Sequence, residues 1–157
     1  MNPYLMPALE KGPQAISRLV QAIDPKRLDE RLDPERFTPR EAICHLADWE
    51  PFWKERFEAG RDHPGSRIVS YDEGKMAIDG KYAERDALAE ARRYVAGRKV
   101  VIALVSALKQ DDWGKTIDHP ERGILTLEDL ANTILGHDMY HVEHLSAFLG
   151  EKTAGTW

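Results

Sequence analysis

Three of the six histidines of this 157-residue chain lie close together near its C-terminal end, at His137, His141 and His144 in LGHDMYHVEHLSAFLG. The segment has the periodicity of an α-helix. At about 100° per residue, His141 and His144 point about 40° and about −20° away from His137. Leu130 and Phe148 share this face, which marks it as the side that packs into the core. Buried imidazoles need hydrogen bonds or a metal ion, because a buried polar group without a partner costs about 1–3 kcal/mol.

The spacing of His137 and His141 suits a single metal ion, because residues four apart lie one helical turn apart on the same face. His144 lies about 10 Å from His137 along the axis, so both rings cannot bind one ion directly, and His144 is a candidate pocket or catalytic residue. The candidate third ligand is His45 in EAICHLADWE. If the two helices are antiparallel, His45 and His141 lie at the same level. Three histidines with open coordination positions are typical of a catalytic ion, which can lower the pKa of a bound water or thiol.

The same residues also have a simpler interpretation. Buried histidines are commonly core residues satisfied by hydrogen bonds, and H-x-x-x-H arises by chance in helices, so both interpretations stay open. Asp48 lies three residues after His45 and can orient a ligand ring, act as a base or form an ion pair. Trp49 and Tyr140 are candidate pocket residues, although packing in the core is the commoner role of such rings. Asp138 is interpreted as a supporting residue, because the H-E-x-x-H glutamate is missing.

Four long segments with helical periodicity, and no convincing alternation typical of strands, predict an all-α fold. Because proline lacks the N–H donor, Gly12-Pro13 should kink or interrupt the first helix, and Pro51 should bend the second. The polar segments 61–80 and 110–125 are predicted to be loops, and His119 in the second is expected to be exposed. The predicted helices span residues 3–23, 38–60, 82–109 and 126–150.

Capping residues mark the ends of two predicted helices. Thr38 and Glu41 have the spacing of a capping box at the start of the second helix. Thr126 and Asp129 have the same spacing at the start of the fourth, with aspartate where glutamate or glutamine is usual. Gly150 is a natural C-cap for the fourth helix.

Four helices without strands predict a four-helix bundle, formed by one domain that covers residues 1–157. The topology depends on the loops. A connection between parallel neighbours must span a whole helix, about 30 Å for 20 residues. The segment 61–80 is long enough, so helices two and three are predicted to run parallel and the other consecutive pairs antiparallel.

Composition excludes several classes of protein. The net charge of −5 argues against nucleic-acid binding, which needs a cationic surface. No stretch is apolar enough for a membrane span, and no secretory signal is visible. A single cysteine, Cys44, excludes an internal disulfide and is predicted to be a small buried side chain. A cytoplasmic location is therefore expected.

Two segments of the sequence, TPREAICHLADWE and GHDMYHVEHL, resemble the two signatures of the DinB/YfiT-like four-helix-bundle metalloproteins. The resemblance covers nearly the whole chain and implies an up-down-down-up bundle. It also implies that His45, His137 and His141 bind a divalent transition metal, usually zinc or nickel. Members of this family are often homodimers, and some are transferases or isomerases that use low-molecular-weight thiols. Family members often have glutamine where this chain has His144, so substrate specificity does not carry over.

Together these observations predict a divalent-metal-dependent enzyme that acts on a small molecule, by thiol-dependent transfer or isomerisation or by hydrolysis. Two alternatives stay open. One is a non-catalytic bundle in which the ion staples helix two to helix four within a closed shell, with Asp48 or His144 as the fourth ligand. The other is a metal-free dimer module that binds a small ligand, with its histidines hydrogen-bonded in the core.

Overall fold

Four long helices pack into a bundle in the computed structural model, which describes residues 2–149. The helices are α1 (Leu5–Ala22), α2 (Pro39–Asp62), a short α3 (Glu73–Asp79), α4 (Ala87–Ser106) and α5 (Leu127–Ser146). Single turns of 3₁₀-helix span Pro25–Arg27, Tyr82–Glu84 and Gln110–Gly114, and three short strands are β1 (Ser66–Arg67), β2 (Thr116–His119) and β3 (Gly123–Thr126). The prediction of an all-α four-helix bundle is confirmed. Every helix within residues 2–149 is too short or too polar to span a bilayer.

The helices α2 and α4 run parallel, as predicted from the length of the connection between them. Along the contact between the two helices, residue numbers increase in the same direction. The Arg93 guanidinium donates a hydrogen bond to the Ala47 carbonyl, and further along both helices Arg98 pairs with Glu50. The connection that returns the chain to the start of α4 contains β1 and α3.

The last helix, α5, runs opposite to α2. The His45 ring on α2 contacts the ring of His141, whereas Trp53, two turns later on α2, contacts the earlier His137. The first helix, α1, packs against both α4 and α5. The order of directions is up-down-down-up, as expected, and it places the histidines of α2 and α5 at one level.

Two prolines lie inside helices without interrupting them, so of the two effects predicted at Pro13, a kink or an interruption, the interruption does not occur. Pro13 removes the N–H that would bond to the carbonyl four residues earlier, at Leu9. That carbonyl accepts a hydrogen bond of 3.4 Å from Arg98 Nη1 instead. At Pro51 the carbonyl freed in the same way accepts one of 3.4 Å from Arg93 Nη1. Arginines of α4 thus satisfy both carbonyls.

The two segments predicted to be loops contain secondary structure. The strand β2 pairs in parallel with β1, where Ser66 faces Ile117, and antiparallel with β3, where Ile117 faces Leu125. These strands are only two to four residues long. An alternating pattern over so few residues is too short to stand out in the sequence, and pairing rather than local preference stabilises the strands. The turn between β2 and β3 ends at Gly123, whose φ of 73° favours glycine.

The predicted starts of α2 and α5 are confirmed, and the other boundaries shift. Both capping boxes are present, at Thr38 with Glu41 and at Thr126 with Asp129. The helix α2 continues past Gly60 to Asp62, and α4 begins at Ala87, later than predicted, because the Asp86 side chain caps it. The predicted cap at Gly150 lies outside the described residues.

The hydrophobic core consists of two clusters, one on each side of a polar layer that contains Glu50, Arg98 and Asp138. Helices α1, α2, α4 and α5 all contribute to both clusters. The buried members of the first cluster include Leu5, Leu9, Trp49, Trp53, Phe57, Val101, Val105, Leu127, Leu130 and Ile134. The second includes Ile16, Val20, Ile43, Leu46, Ala91, Tyr94, Leu145 and Phe148. The polar layer is therefore enclosed by apolar side chains.

Gly97 of α4 allows α2 to approach closely at this polar layer, and we expect Gly97→Ala to destabilise the protein. An added Cβ would lie 2.7 Å from Cβ and 2.9 Å from Cγ of Glu50. Overpacking of this kind costs about 1–3 kcal/mol, which exceeds the gain of up to about 1 kcal/mol from higher helix propensity. Gly136→Ala is the matched control, because a Cβ there meets nothing within 4 Å. Thermal unfolding should show a lower Tm for Gly97→Ala and an equal or higher Tm for Gly136→Ala.

Candidate metal centre

Three histidine side chains from two helices meet beside the polar layer of the bundle. His45 comes from α2, and His137 and His141 come from consecutive turns of α5. Each ring offers one nitrogen, and these three atoms lie within 4.8 Å of one another. The Nε2 atoms of His45 and His137 are 2.9 Å apart. The structure thus brings together the three side chains predicted as metal ligands, and we call them the histidine triad.

The chemistry of the triad fits a divalent transition-metal ion. Burial lowers the pKa of His45 to about 3 and that of His137 to about 4, and it lowers the pKa of His141 well below its ordinary value. The rings are therefore neutral near pH 7, and a neutral imidazole has a lone pair to bind a cation. The Nδ1 atoms of all three rings are buried and have no hydrogen-bond partner among residues 2–149.

A buried ion cluster holds α5 in position beside the triad. Arg98 of α4 lies 2.8 Å from the Glu50 carboxylate and 2.7 Å from that of Asp138, and the Tyr94 hydroxyl donates a hydrogen bond of 2.7 Å to Asp138. All four side chains are buried. Asp138 directly follows His137, so the cluster fixes the turn of α5 that carries this histidine. The interpretation of Asp138 as a supporting residue agrees with these contacts.

The ion cluster should make stability depend on pH through Glu50. Burial raises the pKa of Glu50 to about 7, because Arg98 is shared with Asp138 and compensates Glu50 incompletely. The unfolded chain releases this proton near pH 4.5, whereas the folded protein keeps it until about pH 7. The contribution of Glu50 to the free energy of unfolding is therefore fully present below pH 4.5 and is lost as the pH rises through about 7, by about 1–3 kcal/mol.

The measurement is urea unfolding from pH 4.5 to 8 for the wild type and Glu50→Gln. The difference between the two curves isolates Glu50, since glutamine does not titrate, while the other groups titrate in both proteins. The wild type should lose stability relative to the variant as the pH rises. A difference that is constant across this range would contradict the raised pKa.

Asp48 forms ion pairs with two arginines, and its charge raises the pKa of His45 slightly against the effect of burial. Its carboxylate lies 3.1 Å from Arg85 and also pairs with Arg93. Burial raises the pKa of Asp48, but the hydrogen bonds from these arginines outweigh burial and hold it below its usual value. These contacts agree with the ion-pair interpretation of Asp48. The nearby Cys44 is buried, as predicted, and burial raises the pKa of its thiol to about 12, which makes it a poor nucleophile.

His144 and Tyr140 lie on one side of the triad, where they line a cavity of about 380 Å³ that we call the Tyr140 cavity. The His144 ring is buried, and its centroid lies 6.0 Å from that of His141. Tyr140 is half exposed and contacts the His141 ring edge-on. All three triad residues border this cavity. Its other walls are Arg31, Glu35, Arg36, Phe37, Glu73 and Gly74.

A second cavity, of about 390 Å³, lies on the other side of His137, and we call it the Trp49 cavity. Trp49 is buried and packs edge-on against His45, with ring centroids 5.9 Å apart. It therefore lines a pocket and packs in the core at the same time. The other walls are Trp53, Arg56, Ser70, Tyr71, Glu73, His119, Glu121, Arg122, Leu125, Leu130, Thr133 and Gly136.

The burial of two side chains at the Trp49 cavity was not predicted from the sequence. His119 was expected to be exposed, but it is 7% exposed, because β2 carries it into the bundle wall and its Nδ1 accepts a hydrogen bond from the Glu121 amide. Arg56 is 5% exposed. The burial pattern of TIDH alternates and includes His119, so a strand assignment would have revealed it. Nothing local distinguishes Arg56 from the other arginines of α2.

Comparison with known proteins agrees with this fold. Residues 8–145 match the model of the DinB superfamily. The structure of YfiT from Bacillus subtilis, described as a probable metal-dependent hydrolase with an unusual four-helix bundle topology, superposes with a TM-score of 0.87 at 20% identity, covering 94% of this chain and 87% of that one. A DinB-like protein from Bacillus subtilis, YjoA, gives a TM-score of 0.65 at 13% identity, covering 94% and 91%. No curated protein matches the chain.

At these identities the solved structures establish the fold alone. The family match is broader evidence, because it runs from α1 almost to the end of α5 and includes every residue of the histidine triad. The fold, the order of the helices and this match agree with one another. The chain therefore belongs to the DinB superfamily.

Proposed function

We propose that this protein is a divalent-metal-dependent hydrolase that acts on a small molecule at the histidine triad. The observation that supports this proposal is the convergence of three neutral imidazoles, His45, His137 and His141, at the wall of a cavity. The similarity to YfiT, described as a probable metal-dependent hydrolase, is consistent with it. Zinc and nickel are the candidate ions, since both accept imidazole ligands.

The side chains around the triad have distinct roles in this proposal. A divalent ion held by three imidazoles supplies Lewis acidity, which lowers the pKa of water and polarises a carbonyl or phosphoryl group. The triad would hold the ion, and the reacting group of a substrate would lie against it at the edge of the Tyr140 cavity. His144 borders the same cavity without belonging to the triad. Its ring would exchange a proton with the substrate.

The contacts of Asp48 and His144 favour a catalytic ion over a purely structural one. A structural zinc site usually has four protein ligands. Asp48 is occupied by Arg85 and Arg93, and the His144 ring centroid lies 6.0 Å from that of His141. Within residues 2–149, neither candidate fourth ligand joins the triad, which favours coordination positions open to water or substrate. The use of a low-molecular-weight thiol, the homodimer and the cytoplasmic location stay predictions from the sequence.

The decisive experiment is elemental analysis of protein purified without a histidine tag, followed by activity assays. We expect about one zinc or nickel ion per chain, and hydrolysis of small esters, amides or phosphoesters that stops on chelation and returns when the ion is added back. Thiol transfer to an electrophile would be assayed in parallel. Protein that binds no divalent ion, or hydrolysis that survives complete removal of the ion, would contradict the proposal.

A further inference from the structure

Arg56 is a buried cation that forms no ion pair with any carboxylate of the described residues, although Glu55 and Glu121 lie near enough to act on its charge. Its side chain is 5% exposed, and its one hydrogen bond within residues 2–149 goes to the Val69 carbonyl, at 3.2 Å. Because a buried charge is normally paired, an arginine with five donors and one weak acceptor is unusual. Burial lowers the pKa of Arg56 by more than the nearby Tyr71, Glu55 and Glu121 raise it.

The guanidinium of Arg56 is held at the wall of the Trp49 cavity by aromatic rings. Its Cζ lies 4.8 Å from the centroid of a Trp49 ring and 5.2 Å from that of Trp53. The same two tryptophans contact the ring of His137, at 6.3 and 6.1 Å. Cation–π stacking holds the side chain in place but leaves the N–H groups at the edge of the guanidinium free to donate. Arg56 is thus a rigid, preorganised donor close to the triad.

Two further donors lie around the same cavity. His119 accepts a hydrogen bond at Nδ1, so its proton is on Nε2, which is available to donate. Arg122 is exposed and borders the cavity. Burial lowers the pKa of His119, and the nearby charges of Arg56 and Arg122 lower it further. The carboxylates of the cavity are Glu73 and Glu121, both exposed, and Glu121 accepts a hydrogen bond from Ser70.

Within the described part of the chain, the Tyr140 cavity offers an anion no positive charge that, like Arg56, lacks an ion pair. Its arginines are already paired, Arg31 with Glu41 and Arg36 with Glu143, each at 2.8 Å. A substrate anion would have to displace an existing partner there. At Arg56 it would supply the missing one, and the arginine fork matches the two oxygens of a carboxylate.

The geometry points to the Trp49 cavity as a binding site for the carboxylate of an organic acid, with Arg56 as its main anchor and His119 and Arg122 as additional donors. The remaining walls of the cavity are largely aromatic and aliphatic, with Tyr71, Leu125 and Leu130 beside the tryptophans. The compound therefore has an apolar body. This inference rests on the proposed function in one respect: the acid is the substrate processed at the triad, since His137 borders both cavities.

The test uses calorimetric titration of the metal-free full chain with benzoate and with benzamide, its neutral analogue of the same shape. The wild type should bind benzoate at least about tenfold more tightly, because a charge-assisted pair contributes about 1.5–3 kcal/mol, or more than tenfold. Arg56→Gln should abolish this preference, and Arg122→Gln should reduce it. Arg92→Gln, on the exposed face of α4, is the control and should leave it unchanged.

Several results would overturn the inference. They are equal binding of benzoate and benzamide to the wild type, no binding of benzoate at all, or a preference that survives Arg56→Gln. Inorganic phosphate that binds at Arg56 more tightly than benzoate would assign the site to phosphate instead. The comparison of the two ligands on the wild type needs no variant, so it decides the question even if Arg56→Gln fails to fold. Because no metal is present, failure here is distinguishable from failure of the metal analysis.

Discussion

The His141→Ala variant should lose affinity for zinc or nickel by at least about 100-fold, and His144→Ala should keep it within a few-fold. Loss of an outer hydrogen-bond partner of a metal site already reduces affinity by about 10–100-fold, so loss of a direct ligand should exceed this. The two residues lie on the same face of α5, and both are buried. Only His141, however, belongs to the group whose ring nitrogens lie within 4.8 Å of one another.

The pair forms its own control, because each variant removes one buried imidazole from one helix. Affinity is measured by competition with a chromogenic chelator, and circular dichroism confirms that both variants fold. If His144→Ala retains the ion but lowers kcat, His144 acts on the substrate as proposed. Equal metal affinity in the wild type and His141→Ala would show that the triad is a set of core histidines, as the simpler interpretation of the sequence holds.

The Arg98→Met variant should be destabilised by about 3–5 kcal/mol, because it leaves two buried carboxylates without their cation. Arg98 is 2% exposed, and its partners Glu50 and Asp138 are equally buried. Arg98 also donates to the Leu9 carbonyl that Pro13 leaves free, so the substitution removes a partner from α1 as well. The same loss should weaken metal binding, since Asp138 then no longer fixes the turn that carries His137.

The control for this prediction is Arg93→Met, on the same helix. The Arg93 side chain is 39% exposed and pairs with Asp48 and Glu90 nearer the surface. Solvent screens such pairs, and Arg93 also donates to the Ala47 carbonyl, so we expect a loss of no more than about 2 kcal/mol. Since each variant removes the partner of one carbonyl, the difference between them reports the buried cluster. Urea unfolding at pH 7 measures both variants. Similar losses for the two would mean that the buried cluster contributes no more than a surface network.

Sequence periodicity was sufficient to predict the helices of the bundle and their order. Amphipathic segments and capping boxes are local signals, and the length of the connection after α2 limits how the next helix can run. These local signals did not predict the short strands. The strands β1, β2 and β3 have two to four residues each, so tertiary pairing rather than local pattern determines them.

The partners of charged side chains were not predictable from the chain. Asp48 was equally compatible with a role near His45 and with an ion pair, and only the packing of α4 and of the turn before it places Arg93 and Arg85 beside it. Arg56 looks like an ordinary surface residue until the aromatic rings of α2 and the connection after it enclose it. The pairing of a charge depends on residues distant in the sequence.

The sequence by itself determined which histidines share a helix face, because a helix repeats every 3.6 residues wherever it lies in the molecule. It also indicated that His45 lies at the level of His141. Only the tertiary structure decided that the three rings converge within 4.8 Å and that His144 stays apart. It alone also decided that Arg56, buried and without an ion pair among residues 2–149, lies beside His137 at the same cavity. The physical reason is that distances between helices depend on how side chains pack across them, and no local pattern encodes that packing.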